Sequence, residues 1–254
     1  MILTIDVGNT NITCGGFDGS SLNFVVRMST RLSMTEDEYA SKILSILKLH
    51  NVEKKEIKGA IISSVVPPLN AVMKKAVKLM YGVDALVVGP GIKTGLNIHC
   101  DNPSSVGSDL ICACVAANKL YGSPSLIIDM GTATKMTVLN KNGAFEGVSI
   151  IPGVMMGLDA LAEKTAQLPK ISLEAPGKVI GKNTVDCMKS GVVFGNAALI
   201  DGMIDRINSE MNCKLPVIAT GGLAQIIIPH CTHNILVDEY LVLKGLELLY
   251  RKNS

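Results

Sequence analysis

Ile2-Leu3-Thr4-Ile5-Asp6-Val7-Gly8-Asn9-Thr10 decides the fold, because the chain writes it a second time as Leu126-Ile127-Ile128-Asp129-Met130-Gly131-Thr132-Ala133-Thr134. Each stretch is an apolar strand ending in Asp-x-Gly followed by hydroxyl or amide residues. After each, the chain turns back into another apolar strand, Ile12 to Phe17 and Met136 to Leu139, so both read as hairpins with a polar tip. A unit recurring midway predicts a duplicated fold whose two tips face each other across a cleft.

Helical patterns fill the intervals. Thr35 followed by Glu38 is a capping box, and Ala40, Ile43, Leu44 and Leu47 recur at helical spacing, predicting a helix over 35–49. Ala60 to Val66 reads as a strand closed by Pro67-Pro68, followed by a helix over 69–80 and a strand over 85–88. Leu110 to Leu120, Gly153 to Thr165 and Gly191 to Ser209 read as apolar-rich helices, and Val217 to Thr220 as a strand entering a double-glycine turn. Strands alternating with helices predict an α/β fold. No flexible linker interrupts the pattern, so the division into two similar halves, 1–117 and 118–254, rests on the repeat alone.

The bulk properties exclude several function classes. Hydrophobic residues make up 48% and charged residues 18% of 254, the balance of an ordered globular chain. A net charge of +2 with thinly spread lysines offers no basic stripe, so nucleic acid is not an expected partner. Met1 to Val7 lacks a basic leader and runs straight into polar residues, and no apolar stretch is long enough to span a bilayer. A cytoplasmic protein without a membrane partner is expected. Seven cysteines, Cys14, Cys100, Cys112, Cys114, Cys187, Cys213 and Cys231, lack CxxC spacing and read as reduced, mostly buried thiols. His230 and His233 flank Cys231 without a further ligand at metal-binding spacing, which reads as a solvated loop.

Chemistry concentrates at the two hairpin tips. Backbone N–H groups and hydroxyls on a tight turn hold phosphate where bulky side chains would keep the backbone away. Gly8-Asn9-Thr10 and Gly131-Thr132-Ala133-Thr134 both supply such turns. Asp6 and Asp129 at the strand ends would repel phosphate directly, so they imply a cation. In Thr220-Gly221-Gly222-Leu223-Ala224 the adjacent glycines suit a flat adenosine, with a close strand-to-helix packing as the second reading. Asp109, in Gly107-Ser108-Asp109-Leu110 after the polar loop Asp101-Asn102-Pro103-Ser104-Ser105, reads from position alone as a helix N-terminal residue.

These residues, in this order, resemble the type III pantothenate kinase family from Met1 to about Tyr250. The two phosphate motifs are matched by Asp6 to Thr10 and Asp129 to Thr134. Further similar stretches are Ser63-Ser64-Val65-Val66-Pro67, Gly89-Pro90-Gly91-Ile92-Lys93-Thr94-Gly95-Leu96, Ile151-Pro152-Gly153, Gly181-Lys182-Asn183-Thr184, Ser190-Gly191 and Thr220 to Ala224. The resemblance implies the actin-like ATPase (ribonuclease H-like) fold, two similar halves around a nucleotide cleft. It also implies transfer of the ATP γ-phosphoryl group to pantothenate, giving 4'-phosphopantothenate in the first step of coenzyme A biosynthesis.

By the same resemblance Asp109 is the base that takes the hydroxyl proton. Asp6, Gly8, Asn9, Thr10, Asn11, Gly131, Thr132, Ala133, Thr134, Gly221 and Gly222 bind ATP, with Asp6 acting through magnesium. Asp129 holds a monovalent cation, potassium or ammonium. Cys100, Gly107, Ser108, Leu110 and Thr184 occupy acceptor positions, Thr184 reaching the site from the neighbouring subunit of a homodimer. The first half then carries the first phosphate loop and the acceptor loop, and the second half the second phosphate loop, the adenosine motif and the dimer helices.

Three positions depart from the family pattern. Leu110 stands where an arginine is usual, Cys100 where a tyrosine is usual, and Lys135 where a threonine is more common. Losing a charged hydrogen bond of roughly 1.5–3 kcal/mol weakens acceptor binding about tenfold to a hundredfold. The departures leave open a paralogous kinase acting on another small alcohol, or a nucleotide-binding regulatory protein without turnover. Asp109 argues against the last, which would have no use for a base.

Overall fold

The computed structural model describes all residues from Met1 to Ser254, and they fall into two units: Met1–Leu120 together with Leu241–Ser254, and Tyr121–Tyr240. In the first unit β1 (Ile2–Val7), β2 (Asn11–Asp18) and β3 (Ser21–Ser29) form an antiparallel meander. β4 (Gly59–Ser64) and β5 (Leu86–Val87) extend it in parallel beyond β1, giving the order β3-β2-β1-β4-β5. Helices α1 (Glu36–Leu49), α2 (Pro67–Tyr81) and α3 (Ser108–Leu120) complete the run to Leu120. Leu3, Ile5, Ile43, Leu47, Ile62, Leu69 and Met73 are essentially fully buried and form its core.

The second unit repeats the plan. β6 (Ser125–Met130), β7 (Ala133–Leu139) and β8 (Phe145–Pro152) form the antiparallel meander. β9 (Val217–Thr220) and β10 (Ile235–Val237) continue it in parallel, in the order β10-β9-β6-β7-β8. Its helices are α4 (Val154–Lys164), α5 (Thr184–Met211) and the short α6 (Ala224–Ile227). Each strand of one sheet has its counterpart in the other, with β1 answering to β6, so the α/β fold with two similar halves is present as the repeat predicts.

Several boundaries differ from the sequence reading for local reasons. Pro67 and Pro68 open α2 rather than only closing β4, since proline suits the first helical turn, and Gly82 closes the helix in the left-handed conformation at φ 73°. α5 begins at Thr184 instead of Gly191, because Asn183 caps it by accepting from the Asp186 N–H at 2.9 Å. α3 begins two residues before Leu110, which puts Asp109 inside its first turn. The capping box at Thr35 and Glu38 is formed.

The last helix, α7 (Leu241–Asn253), lies with the first unit and not with the 118–254 half. Glycines set that packing: a Cβ on Gly245 would collide with the Cys112 carbonyl of α3, and one on Gly59 with the Tyr250 ring. The seven cysteines are all free, but only Cys14, Cys112 and Cys114 are buried; Cys187 and Cys213 are exposed, so the thiols are not mostly buried. No helix is long and apolar enough to cross a membrane.

Candidate active site

The first hairpin tip is a pinned loop. The Gly8 N–H donates to Asn11 O at 2.9 Å, closing the turn. From the end of β3, Thr30 Oγ1 donates to Gly8 O at 2.6 Å and the Thr30 N–H to Thr10 O at 2.9 Å. Asn9, Thr10 and Asn11 stay exposed on this fixed turn, as a phosphate contact requires. Strand pairing sets Asp6 beside Thr13 on β2 and Ser63 on β4, so the carboxylate is flanked by two hydroxyl residues.

Asp109 is held by its neighbours in sequence. The Ser108 hydroxyl donates to Ser64 O at 3.0 Å, accepts from the Ser64 N–H at 2.9 Å and lies 3.0 Å from Ser63 Oγ. It therefore staples the start of α3 to the end of β4 and is occupied there, so Ser108 acts by position rather than as the acceptor contact expected of it. Asp109 Oδ1 accepts from the Leu110 N–H at 2.8 Å. Gly107 clears the space: a Cβ there would fall 2.5 Å from Asp109 Oδ1.

Asp6 and Asp109 share one electrostatic neighbourhood. Burial pushes the Cys112 thiol well above its ordinary value, and the charges of Asp6 and then Asp109 push it further. Burial and Asp6 likewise raise Cys14 to about 12. Both buried thiols are held neutral, Cys112 near both carboxylates and Cys14 near Asp6, and take no nucleophilic part.

The second tip is built by glycines. The Gly131 N–H donates to Ala133 O at 3.2 Å, and a Cβ on Gly153 would meet the Thr132 carbonyl carbon at 2.7 Å. Gly221, at φ 93°, packs on the Met130 backbone, where a Cβ would meet Met130 O at 2.7 Å. Its glycine identity is thus accounted for by packing, while Gly222 is the exposed member of the pair. Thr132 is exposed, whereas Thr134 is only 2% exposed and its Oγ1 has no hydrogen-bond partner within the protein. Asp129 lies between Lys135 on β7 and Thr220 on β9, and Lys135 Nζ stands 2.9 Å from Asp129 Oδ2 with both side chains 16% exposed.

On the acceptor side, Cys100 is partly exposed and precedes an exposed loop with a 3-10 turn at Pro103–Ser105. Leu110 is 7% exposed, so the position at which the family pattern places a guanidinium is part of the apolar interior. Thr184 is exposed at the start of α5, close in sequence to exposed apolar Val179, Ile180 and Val185. His230 stacks edge-on against Phe194, and His233 Nε2 lies 2.9 Å from Asp205 Oδ1. Sequence reasoning gave no role to Ser63, Ser64 or Gly153. Their signal was present, as motif residues at a strand end and at a helix start.

Two cations follow from the resemblance, and the residues treat them differently. Asp6 offers hard oxygen donors beside an exposed phosphate loop and fits magnesium, which keeps waters and phosphate oxygens and needs no cage of protein ligands. No group of three histidine, cysteine or acidic side chains forms such a cage. Asp129 does not fit a free monovalent ion, because Lys135 already holds its carboxylate.

A family model described as type III pantothenate kinase matches residues 2–206. Among curated relatives, the type III pantothenate kinases of Halalkalibacterium halodurans and Exiguobacterium sp. are 41% and 43% identical, each aligned over all of this chain and all of theirs. Among solved structures, a candidate 2-dehydro-3-deoxygalactonokinase from Sinorhizobium meliloti aligns at TM-score 0.64 and 13% identity, over all of this chain and 97% of its own. The activator of 2-hydroxyisocaproyl-CoA dehydratase from Clostridium difficile aligns at TM-score 0.58 and 11% identity, over 98% of this chain and 93% of its own. At such identities these structures speak for the fold alone, that of the actin-like ATPases and sugar kinases.

Proposed function

The chain belongs to the type III pantothenate kinase family, and on that footing we propose that it transfers the γ-phosphoryl group of ATP to the terminal hydroxyl of pantothenate, opening the route to coenzyme A. The observation that carries the reading is the docking of α3 beside the Asp6 strand: Ser63, paired with Asp6, lies 3.0 Å from the hydroxyl of Ser108, the residue before Asp109.

In this reading Asp109 receives the hydroxyl proton as the acceptor oxygen bonds to the γ-phosphorus and the bond to the β-phosphate oxygen breaks, releasing ADP. An ordinary carboxylate suffices, because a loose transition state lets the proton leave late. The Leu110 N–H fixes the carboxylate, and the Ser108 staple fixes the helix that carries it. Positioning of this kind supplies most of what phosphoryl transfer needs. Asp6 would hold magnesium, which neutralises phosphate charge when bound. Gly8, Asn9, Thr10 and Asn11 would contact phosphate, as would Gly131, Thr132 and Ala133, and Gly222 would lie against adenosine. Cys100 would line the acceptor position, while the buried Leu110 offers it no charge.

A homodimer belongs to the same proposal, with the partner subunit's Thr184 at the acceptor. Exposed Val179 at 65% and Ile180 at 80% support it, since apolar side chains so placed gain from being covered. A cytoplasmic location fits a metabolic kinase.

The test is ATP consumption by the purified protein with magnesium, with and without pantothenate, and mass-spectrometric detection of phosphopantothenate. Product formation is expected. Its absence at millimolar pantothenate, with ATP bound, would give the acceptor position to another small alcohol, consistent with apolar Leu110.

A further inference from the structure

The two hairpins differ at one place that their shared plan makes comparable. In the first, the residue paired with the aspartate across the antiparallel strands is Thr13; in the second it is Lys135. On the parallel side both aspartates meet a hydroxyl residue, Ser63 and Thr220. Directly opposed residues put their side chains on one face, so Lys135 necessarily reaches toward Asp129. It does so to 2.9 Å, in a site where each side chain is 16% exposed.

We propose that the Lys135 ammonium is the resident cation of the second hairpin, and that turnover by this protein requires no potassium or ammonium ion. A free monovalent ion at Asp129 would have to share a carboxylate with a fixed positive charge a few ångströms away, and the two repel most strongly where water is scarce. An ammonium tethered to β7 also meets no concentration dependence, since it is present in every molecule. Its position is apt for stabilising transferred charge. Asp129 is two residues from Gly131, so the ammonium stands at the base of the loop assigned to phosphate, where charge builds during transfer. The first hairpin sets the neutral Thr13 opposite its aspartate; the second carries its own positive charge there.

The inference rests on the kinase reading, and its experiment separates the two. Phosphopantothenate formation is followed with magnesium in a buffer whose only other cation is choline, then with added potassium or ammonium chloride, for the wild type and K135T. Thermal unfolding in ATP and magnesium is recorded over the same salts. The wild type should be insensitive within about twofold. K135T, which copies the Thr13 arrangement, should lose roughly tenfold or more of its rate in choline, a loss in the range of a displaced transition-state charge. It should recover with potassium or ammonium and gain a potassium-dependent rise in Tm that the wild type lacks. Stimulation of the wild type by potassium overturns the proposal, and so does a K135T whose rate and Tm both ignore the salt. Should K135T fail to fold, the wild-type titration decides alone. No product under any salt would count against the kinase reading, while the Tm comparison still judges the cation.

Discussion

A Cβ at Gly107 would lie 2.5 Å from Asp109 Oδ1, so the absence of a side chain at one residue defines where the carboxylate of another can stand. The obstacle is the mobile end of a short side chain, and an alanine there should displace the carboxylate without unfolding the helix. G107A is expected to lower kcat by roughly a hundredfold, the cost of a misplacement of about 1 Å. Its Tm should stay within about two degrees of wild type. Steady-state kinetics with a thermal melt checks both; an unchanged kcat would show that Asp109 has no need of that position.

Asp109→Asn keeps the shape and removes the base. We expect kcat to fall roughly 10²–10⁴-fold, the usual worth of a positioned acid or base. ATP affinity, measured by calorimetry, should change by less than about threefold. Retention of most of the rate would remove Asp109 from the role of base.

Gly153 presses on the backbone of Thr132, and backbone yields less readily than a side-chain tip. G153A should therefore cost roughly 1–3 kcal/mol of stability, as overpacked sites do. It should also weaken ATP binding by shifting the Thr132 carbonyl. Denaturant unfolding and nucleotide titration on the same sample test whether the two losses occur together.

Asp201 gives a pH signature outside the active site. Partial burial opposes its ionisation, but the N–H groups of Thr232 and His233, at 2.8 and 3.1 Å, outweigh that and hold its carboxyl below the ordinary value of 3.8. A depressed folded-state value stabilises the fold above the unfolded value and loses that contribution as pH falls through the folded one. The Tm gap between wild type and D201N should thus be full near neutrality and close as pH drops below about 3.8. A gap independent of pH would mean the carboxylate charge plays no part.

The legible parts were those written locally. Asp6 and Asp129 announce themselves because an apolar run ending in Asp-x-Gly carries both the strand and its turn, and Thr35 with Glu38 fixes a helix start within four residues. Residues whose role depends on a partner far along the chain were not legible. Ser108 reads only as an acceptor position until Ser64, 44 residues away, is brought to its hydroxyl. Gly221 reads as a bed for adenosine until Met130 is found beneath it. The Lys135–Asp129 pair lay between: counting three residues either way from Thr132 places them opposite each other, but only once Thr132 is taken as the tip. α7 offers no local sign of where it packs, since Gly245 matters only against Cys112.

The return of α7 to the first unit has a consequence for how the molecule is made. Domains tend to fold as units while the ribosome is still working, the earlier ones first. Here the order is reversed. Residues 121–240 are all synthesised before Leu241–Asn253 exists, so the unit that begins first is the last to receive all its parts. Until α7 is made and docks, the surface of α3 around Cys112 waits uncovered, so the second unit has all its strands and helices at a stage when the first does not.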